Sequence, residues 1–421
     1  MPHPDFLRAE RHIYEDPLRR TLMDMVNIPS PTGGEGEMAA YLEGRLRRAG
    51  LRTHLQEVSA GRPNIVGTLP GTGGGVNLLF TGHMDTSYSG DEDFLDGEGF
   101  KPRAVYRDGW IWGLGANNMK SGLACALVAI EAIAEEGISL PGDISLAGVV
   151  GEIEKAPIEE FQGESFAGYG TGTRYLITHG VTADCAILAE PTSLPVSNAN
   201  MGCIWAKITA TGTMAHSAYG KNPGHRNAVE EIHRIQSAVM DWAPGYSERN
   251  EFMGERPSVT IAAVRGGLIW RLSRNPFEAS LYIDVRTVPG QTADQVKREL
   301  RALLKSDAEK NGGPEAELSF YVNDPATLID PGQPVIGAMR AAHEEITGSA
   351  AEPFIRLPAA DSTHFNHYGI PCAVYGPGGF SHPDSGTWMH AAGEHISVAN
   401  MLTAARVYLA AALDICSRTP A

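Results

Sequence analysis

Short apolar segments that run into a histidine or a glutamate constrain this chain more than any other feature of its sequence. Three such segments precede a candidate ligand or base: Leu78–Phe80 before His83, Leu146–Val150 before Glu152, and Ala186–Ala189 before Glu190. Segments with helical spacing of apolar residues lie between them, and this alternation indicates a sheet covered by helices on both faces. Side chains just past the carboxyl ends of such strands line the crevice where α/β proteins bind ligands. We therefore expect these side chains to share one crevice.

Each of these motifs alone also has an ordinary explanation. Asn118 lies in the glycine-spaced loop Trp110–Gly122, where an asparagine is equally suited to cap the following helix. Glu152 could act as a general base or belong to a solvated pair of glutamates. The glycine-rich segment Gly71–Val76 precedes a strand and is typical of a turn rather than of a dinucleotide site. The sequence contains no Gly-x-Ser-x-Gly motif, which argues against a nucleophile elbow.

The pattern changes near Asn200 and divides the chain into domains. Cys203–Thr211 alternates apolar and polar residues like a half-exposed strand, and helical spacing follows over Ala228–Met240. Further strands and a second helix complete a compact α+β region. We predict an α/β catalytic domain with a helix-covered mixed sheet over residues 1–199 and 324–421, interrupted by an inserted α+β domain over residues 200–323.

Composition excludes several classes of partner. The 421 residues carry 50 acidic against 34 basic side chains, a net charge of −16 that repels nucleic acid and anionic lipid. The longest apolar run, Leu123–Ala134, is interrupted by Glu131 and is too short to span a membrane. The charged first residues do not resemble a signal peptide. Five scattered cysteines without a Cys-x-x-Cys pair indicate reduced thiols in a cytoplasmic protein.

Taken in order, the motifs resemble the family of metal-dependent amidohydrolases that includes aminoacylase, acetylornithine deacetylase, succinyl-diaminopimelate desuccinylase and the glutamate carboxypeptidases. The segments that carry this resemblance are Leu78–Thr86, Trp110–Gly122, Leu146–Glu154, Ala186–Thr192, Thr211–Ala218, Ser280–Gly290 and the pair Gly376–Gly379 with Thr387–Glu394. The resemblance covers nearly the whole chain. It implies an α/β catalytic domain that binds two metal ions and an inserted lid that dimerises, in agreement with the domains inferred above.

The resemblance also implies a role for each matching residue. In the catalytic domain, His83, Glu190 and His390 would bind metal. Asp85 would orient His83, and Glu152 would act as the general base. The other implied roles concern the substrate. His216 would stabilise an oxyanion in a neighbouring subunit, Arg286 and Asn275 would bind a carboxylate of the substrate, and Gly378 would supply a backbone N–H donor.

Two positions depart from the family pattern. Asn118 stands where the family has an aspartate that bridges two metal ions, and Ile153 stands where it has a glutamate ligand. A neutral amide is a poor bridge and an isoleucine cannot ligate, so we expect one divalent transition metal ion per subunit. One metal position keeps His83, Asn118 and Glu190, whereas the other keeps only His390. These ligands suit Mn²⁺, Zn²⁺, Co²⁺ or Fe²⁺, and Glu154 is an alternative replacement for the missing glutamate.

The loss of one Lewis acid favours a substrate that is already activated. Within the family, the altered pattern is most similar to aminohydrolases that convert 5-nitroanthranilic acid into 5-nitrosalicylic acid and ammonia. There, Glu152 would take a proton from metal-bound water, which attacks the ring carbon that bears the amino group. The alternatives are an N-acyl-amino-acid amidohydrolase or metallo-dipeptidase, and a catalytically inactive protein that binds a small anion. In either active case, the substrate would be a small anionic aromatic compound or an acyl-amino acid.

A homo-oligomer is expected as well, at least a dimer through the lid. The exposed face of the lid has to be buried somewhere. The role that the resemblance implies for His216 also requires a second subunit.

Overall fold

The computed structural model describes residues 3–379 and 393–420, and the chain divides into two compact units. The large unit comprises Met1–Asn198, Leu328–Phe354 and Ala360–Ala421, and the inserted unit comprises Ala199–Thr327 and Ile355–Ala359. The sequence places the boundaries after residues 199 and 323, and the structure places them after residues 198 and 327. It also assigns Ile355–Ala359 to the inserted unit, whereas the sequence prediction left this segment in the catalytic domain.

The elements are numbered along the chain. The helices are α1 (Phe6–Glu10), α2 (Glu15–Val26), α3 (Gly36–Arg48), α4 (Ser121–Glu135), α5 (Thr171–Thr178), α6 (Ala228–Arg249), α7 (Ala293–Asn311), α8 (Pro334–Thr347), α9 (Ser362–His367) and α10 (Val398–Cys416). The strands are β1 (Arg52–Ser59), β2 (Arg62–Leu69), β3 (Leu78–His83), β4 (Val105–Arg107), β5 (Trp110–Trp112), β6 (Ile144–Val149), β7 (Cys185–Leu188), β8 (Ser197–Asn200), β9 (Gly202–Thr211), β10 (Val259–Gly266), β11 (Glu278–Thr287), β12 (Glu317–Asp324), β13 (Thr327–Leu328), β14 (Phe354–Arg356), β15 (Cys372–Val374) and β16 (His395–Ser397).

The large unit is built on a mixed sheet with the strand order β1-β2-β6-β3-β7-β15-β8-β13. Strand β3 lies between β6 and β7 and runs parallel to both, whereas β2 pairs antiparallel with β1 and with β6. Every residue of β3 is buried, as expected for a central strand with both faces covered. The predicted α/β class with a mixed sheet is confirmed.

Two apolar helices form much of the core of the large unit. Helix α4 consists mainly of small and aliphatic residues and is buried on nearly all sides. Helix α10 packs against α4 and α8. By length and composition alone α10 could cross a membrane, but 67% of its apolar stretch is buried inside the protein, which is typical of a core helix.

The inserted unit is a four-stranded antiparallel sheet with the order β10-β11-β9-β12. Strand β9 alternates buried and half-buried residues over most of its length, because one face packs on the helices α6 and α7. A capping box at Thr292 and Gln295 begins α7, and Gly312 ends it in the left-handed conformation. Strand β10 is an edge strand, and most of its side chains are exposed.

Candidate metal centre

Three neighbouring parallel strands of the large unit deliver the candidate site. His83 is the last residue of β3 and is paired with Val149 at the end of β6. Glu152 is the third residue after the end of β6, and Glu190 is the second residue after the end of β7. His83 and Glu190 are buried, and Glu152 has 11% of its side chain exposed. The predicted shared crevice at the carboxyl ends of the strands is therefore present in the fold.

A glycine sets the position of the third strand end. Helix α4 begins directly against the segment after β7, where a Cβ atom on Gly122 would lie 1.9 Å from the carbonyl oxygen of Ala189. Only glycine permits this approach. The contact fixes the residue immediately before Glu190.

Three oxygen atoms surround Nε2 of His83. Oε1 of Glu190 lies at 3.2 Å, Oδ1 of Asn118 at 3.3 Å and Oε2 of Glu152 at 3.5 Å. A cation with bonds of about 2.1 Å in tetrahedral geometry separates its ligand atoms by about 3.4 Å. Imidazole, carboxylate and amide oxygens are also a suitable donor set for a divalent transition metal ion. The residues present therefore fit one such ion.

Asp85 lies next to the other ring nitrogen of His83. Nδ1 lies 2.9 Å from the backbone oxygen of Asp85 and 3.4 Å from its Oδ1. A carbonyl oxygen accepts a hydrogen bond, so the neutral ring carries its proton on Nδ1 and presents the Nε2 lone pair. This is the orientation that a metal ligand requires.

The electrostatics of the cluster favour a positive charge. Burial, followed by repulsion from Glu190 and Asp361, raises the pKa of Glu152 well above its ordinary value. Burial lowers the pKa of His83, but the negative charge of Glu152 and the bonds to Asp85 and Glu190 outweigh it and raise the pKa well above its usual range. A divalent cation would neutralise the same excess of negative charge.

Four consecutive backbone amides hold the turn that carries Glu152. We call their acceptors, Glu35, Asn64 and Asp85, the amide clamp. The bonds run from the N–H of Val150 to Asn64 (3.0 Å), of Gly151 to Glu35 (3.2 Å), of Glu152 to Asp85 Oδ1 (3.1 Å) and of Ile153 to Asp85 Oδ2 (3.3 Å). All three acceptors are buried, so water does not compete for these amides. The clamp fixes the backbone on which the candidate base is mounted.

A second carboxylate holds the turn that carries Asn118. Oε2 of the buried Glu394 accepts the N–H groups of Asn117 (3.0 Å) and Asn118 (2.9 Å). Two residues on, the buried Lys120 donates from Nζ to the carbonyl oxygens of Met25 and Ile28. Burial lowers the pKa of Lys120 to about 7, against the opposing charges of Glu394 and Asp85.

The remaining predicted residues of the large unit lie in different places. The side chain of Ile153 is buried and supplies no donor atom. Among the described residues, the group able to hold a metal consists of His83, Glu152 and Glu190 and does not include Glu154. The carbonyl oxygen of Gly378 accepts the N–H of Ser193 (2.6 Å). His390 lies outside the described residues.

The predicted lid residues lie in the inserted unit. His216 is exposed, and its Nδ1 accepts the N–H of Ala218. Asn275 is buried and its Nδ2 donates to the carbonyl oxygens of Thr213 and Arg226, both at 2.6 Å. Arg286 forms an ion pair with Asp284 at 2.9 Å.

Sequence reasoning missed several residues that shape the site. Asp361 is buried beside the cluster and hydrogen-bonded by Thr173, and burial raises its pKa to about 7. Glu35 and Asn64 of the amide clamp also went unnoticed. Glu394 was noticed only as the end of a motif. The glycine directly before it, Gly393, was the sequence signal that could have drawn attention to this glutamate.

Comparison with known proteins agrees with this geometry. The sequence is 26% identical over 432 residues to N-formyl-4-amino-5-aminomethyl-2-methylpyrimidine deformylase of Bacillus subtilis (strain 168), covering 95% of this chain and 94% of the relative. It is 27% identical over 399 residues to succinyl-diaminopimelate desuccinylase of Gluconacetobacter diazotrophicus, covering 92% and 94%.

Solved structures show the same fold. A tripeptidase from Staphylococcus aureus superposes with a TM-score of 0.75 at 19% identity, covering 96% of this chain and 100% of the other. A dipeptidase from Saccharomyces cerevisiae superposes with a TM-score of 0.76 at 14% identity, covering 100% of both chains.

Fold, site and relatives together define a metal-dependent hydrolase that acts on amide-type C–N bonds. The sequence model of Peptidase family M20/M25/M40 matches residues 79–414, and the chain belongs to that family.

Proposed function

We propose that this protein hydrolyses the amide bond of a small N-acyl substrate with one divalent ion per subunit. The observation that carries the proposal is the arrangement of Glu190, Asn118 and Glu152 around Nε2 of His83, at 3.2–3.5 Å. His83, Asn118 and Glu190 would hold the ion, together with His390. Asn118 contributes an uncharged oxygen and Ile153 contributes none, which favours a single ion over a bridged pair.

A divalent ion at this position would polarise the substrate carbonyl and lower the pKa of a bound water. The residues of the chain would move the proton and hold the reacting groups in place. Glu152, whose pKa is raised by burial and by Glu190, is suited to take a proton and return it to the leaving nitrogen. Asp85 keeps His83 in the ligating tautomer, and the amide clamp holds the backbone of Glu152 in place.

The names of the relatives support hydrolysis of an amide bond over deamination of an aromatic ring. A deformylase and a desuccinylase both remove an acyl group from nitrogen, as their names state. An N-acyl substrate is therefore the first candidate, and a dipeptide is the next, since solved structures of the same fold include a dipeptidase.

The two departures from the family pattern favour a second candidate function. Asn118 and Ile153 remove negative charge where a second ion would bind, and a single ion suits a substrate that stabilises its own developing charge. A nitro group para to an amino group does so by resonance. The second candidate is therefore 5-nitroanthranilic acid aminohydrolase activity, which releases ammonia and is compatible with Mn²⁺.

A substrate panel separates the candidates. Purified protein loaded with Mn²⁺, Zn²⁺, Co²⁺ or Fe²⁺ is incubated with N-formyl, N-acetyl and N-succinyl amino acids, dipeptides and 5-nitroanthranilate. Release of a free amino acid supports the amide proposal, and release of ammonia from 5-nitroanthranilate supports the aromatic one. If no substrate turns over while anions bind with unchanged affinity in Glu152→Gln, the protein is an inactive anion binder and both proposals are wrong.

The assembly and the location are part of the same proposal. We propose a homo-oligomer, at least a dimer through the inserted unit, in which His216 stabilises an oxyanion in the partner subunit while Arg286, Asn275 and Gly378 bind the substrate. All five cysteines are free and buried, which supports a cytoplasmic location. Sedimentation velocity of the metal-loaded protein tests the assembly, and a monomer at micromolar concentration would contradict it.

A further inference from the structure

The turn Gly376–Gly379 of the large unit packs against the segment that carries Glu190. A Cβ atom on Gly376 would lie 2.4 Å from the carbonyl oxygen of Glu190, so the two backbones are in direct contact. Three residues after Glu190, the N–H of Ser193 donates to the carbonyl oxygen of Gly378 (2.6 Å). The turn is therefore attached to one candidate metal ligand and to the residues that follow it.

The side chain of Asn117 joins the same turn to the segment that carries Asn118. Its Oδ1 accepts the N–H of Gly379 at 2.9 Å. Asn117 is buried, and Oε2 of Glu394 accepts both its own N–H and that of Asn118. The turn thus bridges the segments of Asn118 and Glu190, and Asn117 supplies a side-chain hydrogen bond of this bridge.

The bridge connects two oxygen ligands of the candidate metal centre. Oδ1 of Asn118 lies 3.3 Å and Oε1 of Glu190 lies 3.2 Å from Nε2 of His83. The separation of such atoms decides how well an ion fits among them, because metal–ligand distances vary by only about 0.2 Å around their preferred values. A bond that holds the two segments together therefore bears on the affinity for the ion.

The amide of Asn117 acts through its oxygen. A backbone N–H can only donate, so the bond from Gly379 orients Oδ1 toward the turn and Nδ2 away from it. Within residues 3–379 and 393–420, the buried Nδ2 has no hydrogen-bond partner. An aspartate in this conformation would keep the bond to Gly379 and lose no other bond of the described side chain, whereas an alanine would lose it.

We propose that Asn117 is a positioning residue for the metal centre, which holds the segments of Asn118 and Glu190 together through the turn Gly376–Gly379. The proposal rests on the proposed function, because that function assigns these two residues to the ion. The side-chain oxygen of Asn117 is engaged by the turn, so its effect on the ion is indirect.

Metal affinity measures this role without any turnover. Wild type and variants are stripped of metal and titrated calorimetrically with Mn²⁺ and with Co²⁺. We expect Asn117→Ala to weaken binding of both ions about tenfold to a hundredfold, as is typical when a group that orients a metal ligand is removed. Asn117→Asp should bind both ions at least as tightly as the wild type, because it keeps the acceptor and adds a negative charge.

The visible spectrum of the Co²⁺-loaded protein separates the hydrogen bond from the added charge. The position and intensity of the Co²⁺ bands report the geometry of the ligands. Asn117→Ala should shift these bands at saturating Co²⁺, whereas Asn117→Asp should retain the wild-type spectrum.

Asn366 provides a matched control in the same unit. Its Oδ1 accepts the N–H of Cys372 at 2.9 Å, so Asn366→Ala also removes an asparagine that holds a backbone amide, at the other end of β15. Urea denaturation without metal should show that Asn117→Ala and Asn366→Ala both lower the free energy of unfolding. Asn366→Ala is expected to leave the metal affinity and the Co²⁺ spectrum unchanged.

The outcomes separate this proposal from the proposed function. Wild-type affinity and spectrum in Asn117→Ala overturn the positioning role, whatever the protein hydrolyses. Equal losses of affinity in Asn117→Ala and Asn366→Ala also overturn it, and so does an altered spectrum in Asn117→Asp. A wild type that binds no divalent ion refutes both proposals. The expected result in a wild type that hydrolyses no amide supports the positioning role and refutes the proposed hydrolysis alone.

Discussion

Glu35 and Arg62 form an ion pair of 2.7 Å in which neither side chain reaches solvent. The same oxygen of Glu35 accepts the N–H groups of Gly33 (3.1 Å) and Gly151 (3.2 Å). Arg62 in turn pairs at 2.7 Å with Glu164, which is half exposed. One buried side chain, Glu35, thus both pairs with Arg62 and holds the turn that carries the candidate base Glu152.

Removing the charge of Glu35 tests its pairing with Arg62. Among the residues that the structure describes, Glu35→Gln leaves the buried guanidinium of Arg62 with the half-exposed Glu164 as its one anionic partner. We therefore expect a loss of about 3 kcal/mol in the free energy of unfolding. Glu164→Gln, which removes an exposed partner, should cost less than about 1 kcal/mol. Urea denaturation of both variants provides the measurement, and equal losses would show that the buried pair has no special role.

Glu152 is expected to act as a base and not as an indispensable ligand. Glu152→Gln keeps the size of the side chain but cannot accept the proton, so kcat should fall by about a hundredfold to ten-thousandfold. Elemental analysis should find the metal content unchanged, because His83, Asn118 and Glu190 remain. Loss of the metal together with activity would instead make Glu152 a ligand.

The two departures from the family pattern predict the metal stoichiometry. Wild-type protein should bind one divalent ion per subunit, whereas the double variant Asn118→Asp with Ile153→Glu should bind two, because it regains a bridging and a terminal carboxylate. The matched control is the double variant Asn118→Asp with Ile153→Gln. The glutamine adds similar bulk without charge, so this variant should still bind one ion per subunit. Two ions in the wild type, measured by elemental analysis, would refute the single-ion proposal.

The lowered pKa of His364 predicts that acid reduces the free energy of unfolding of this protein. Burial, assisted by the positive charges of Arg174 and His367, lowers its pKa from 6.5 to about 4. The unfolded chain therefore binds a proton at this histidine below pH 6.5, while the folded protein does not until pH falls to about 4. The stability associated with the neutral ring is present above that window and is lost as pH falls through it, by about 3 kcal/mol in total.

Replacement of this histidine removes its share of the acid sensitivity. Between pH 7 and pH 4, the free energy of unfolding of His364→Gln should fall by about 3 kcal/mol less than that of the wild type, measured by urea denaturation in the presence of a chelator. His54→Gln, on the exposed part of β1, is the control and should follow the wild type. Parallel profiles for all three proteins would contradict the assignment.

Local patterns were sufficient to predict elements whose apolar residues face the core. Strand β9 was expected over Cys203–Thr211 and spans Gly202–Thr211. Strand β1 was missed because it is an edge strand with few buried side chains, so its sequence lacks clear alternation. Helix α6 was expected to end at Met240, but it continues through Pro244 to Arg249, where packing outweighs the local preference of proline.

In the candidate site, too, local patterns predict some residues and not others. His83, Asn118, Glu152 and Glu190 were predictable because each follows a recognisable local motif, and parallel strands bring such positions to one edge of a sheet. The amide clamp was not predictable. Asn64 lies 86 residues and Glu35 lies 116 residues from the amide that it holds, and no local pattern specifies such a contact.

The position of β15 has a consequence for how the protein is made. Cys372–Val374 lies between β7 and β8 in the sheet, yet it is synthesised after the whole of the inserted unit. During synthesis the strands β7 and β8 therefore each carry an unfilled edge until β15 has been made. Asp361 and Glu394, which surround the candidate metal site, are synthesised shortly before and after β15, so the surroundings of that site also depend on this late part of the described chain.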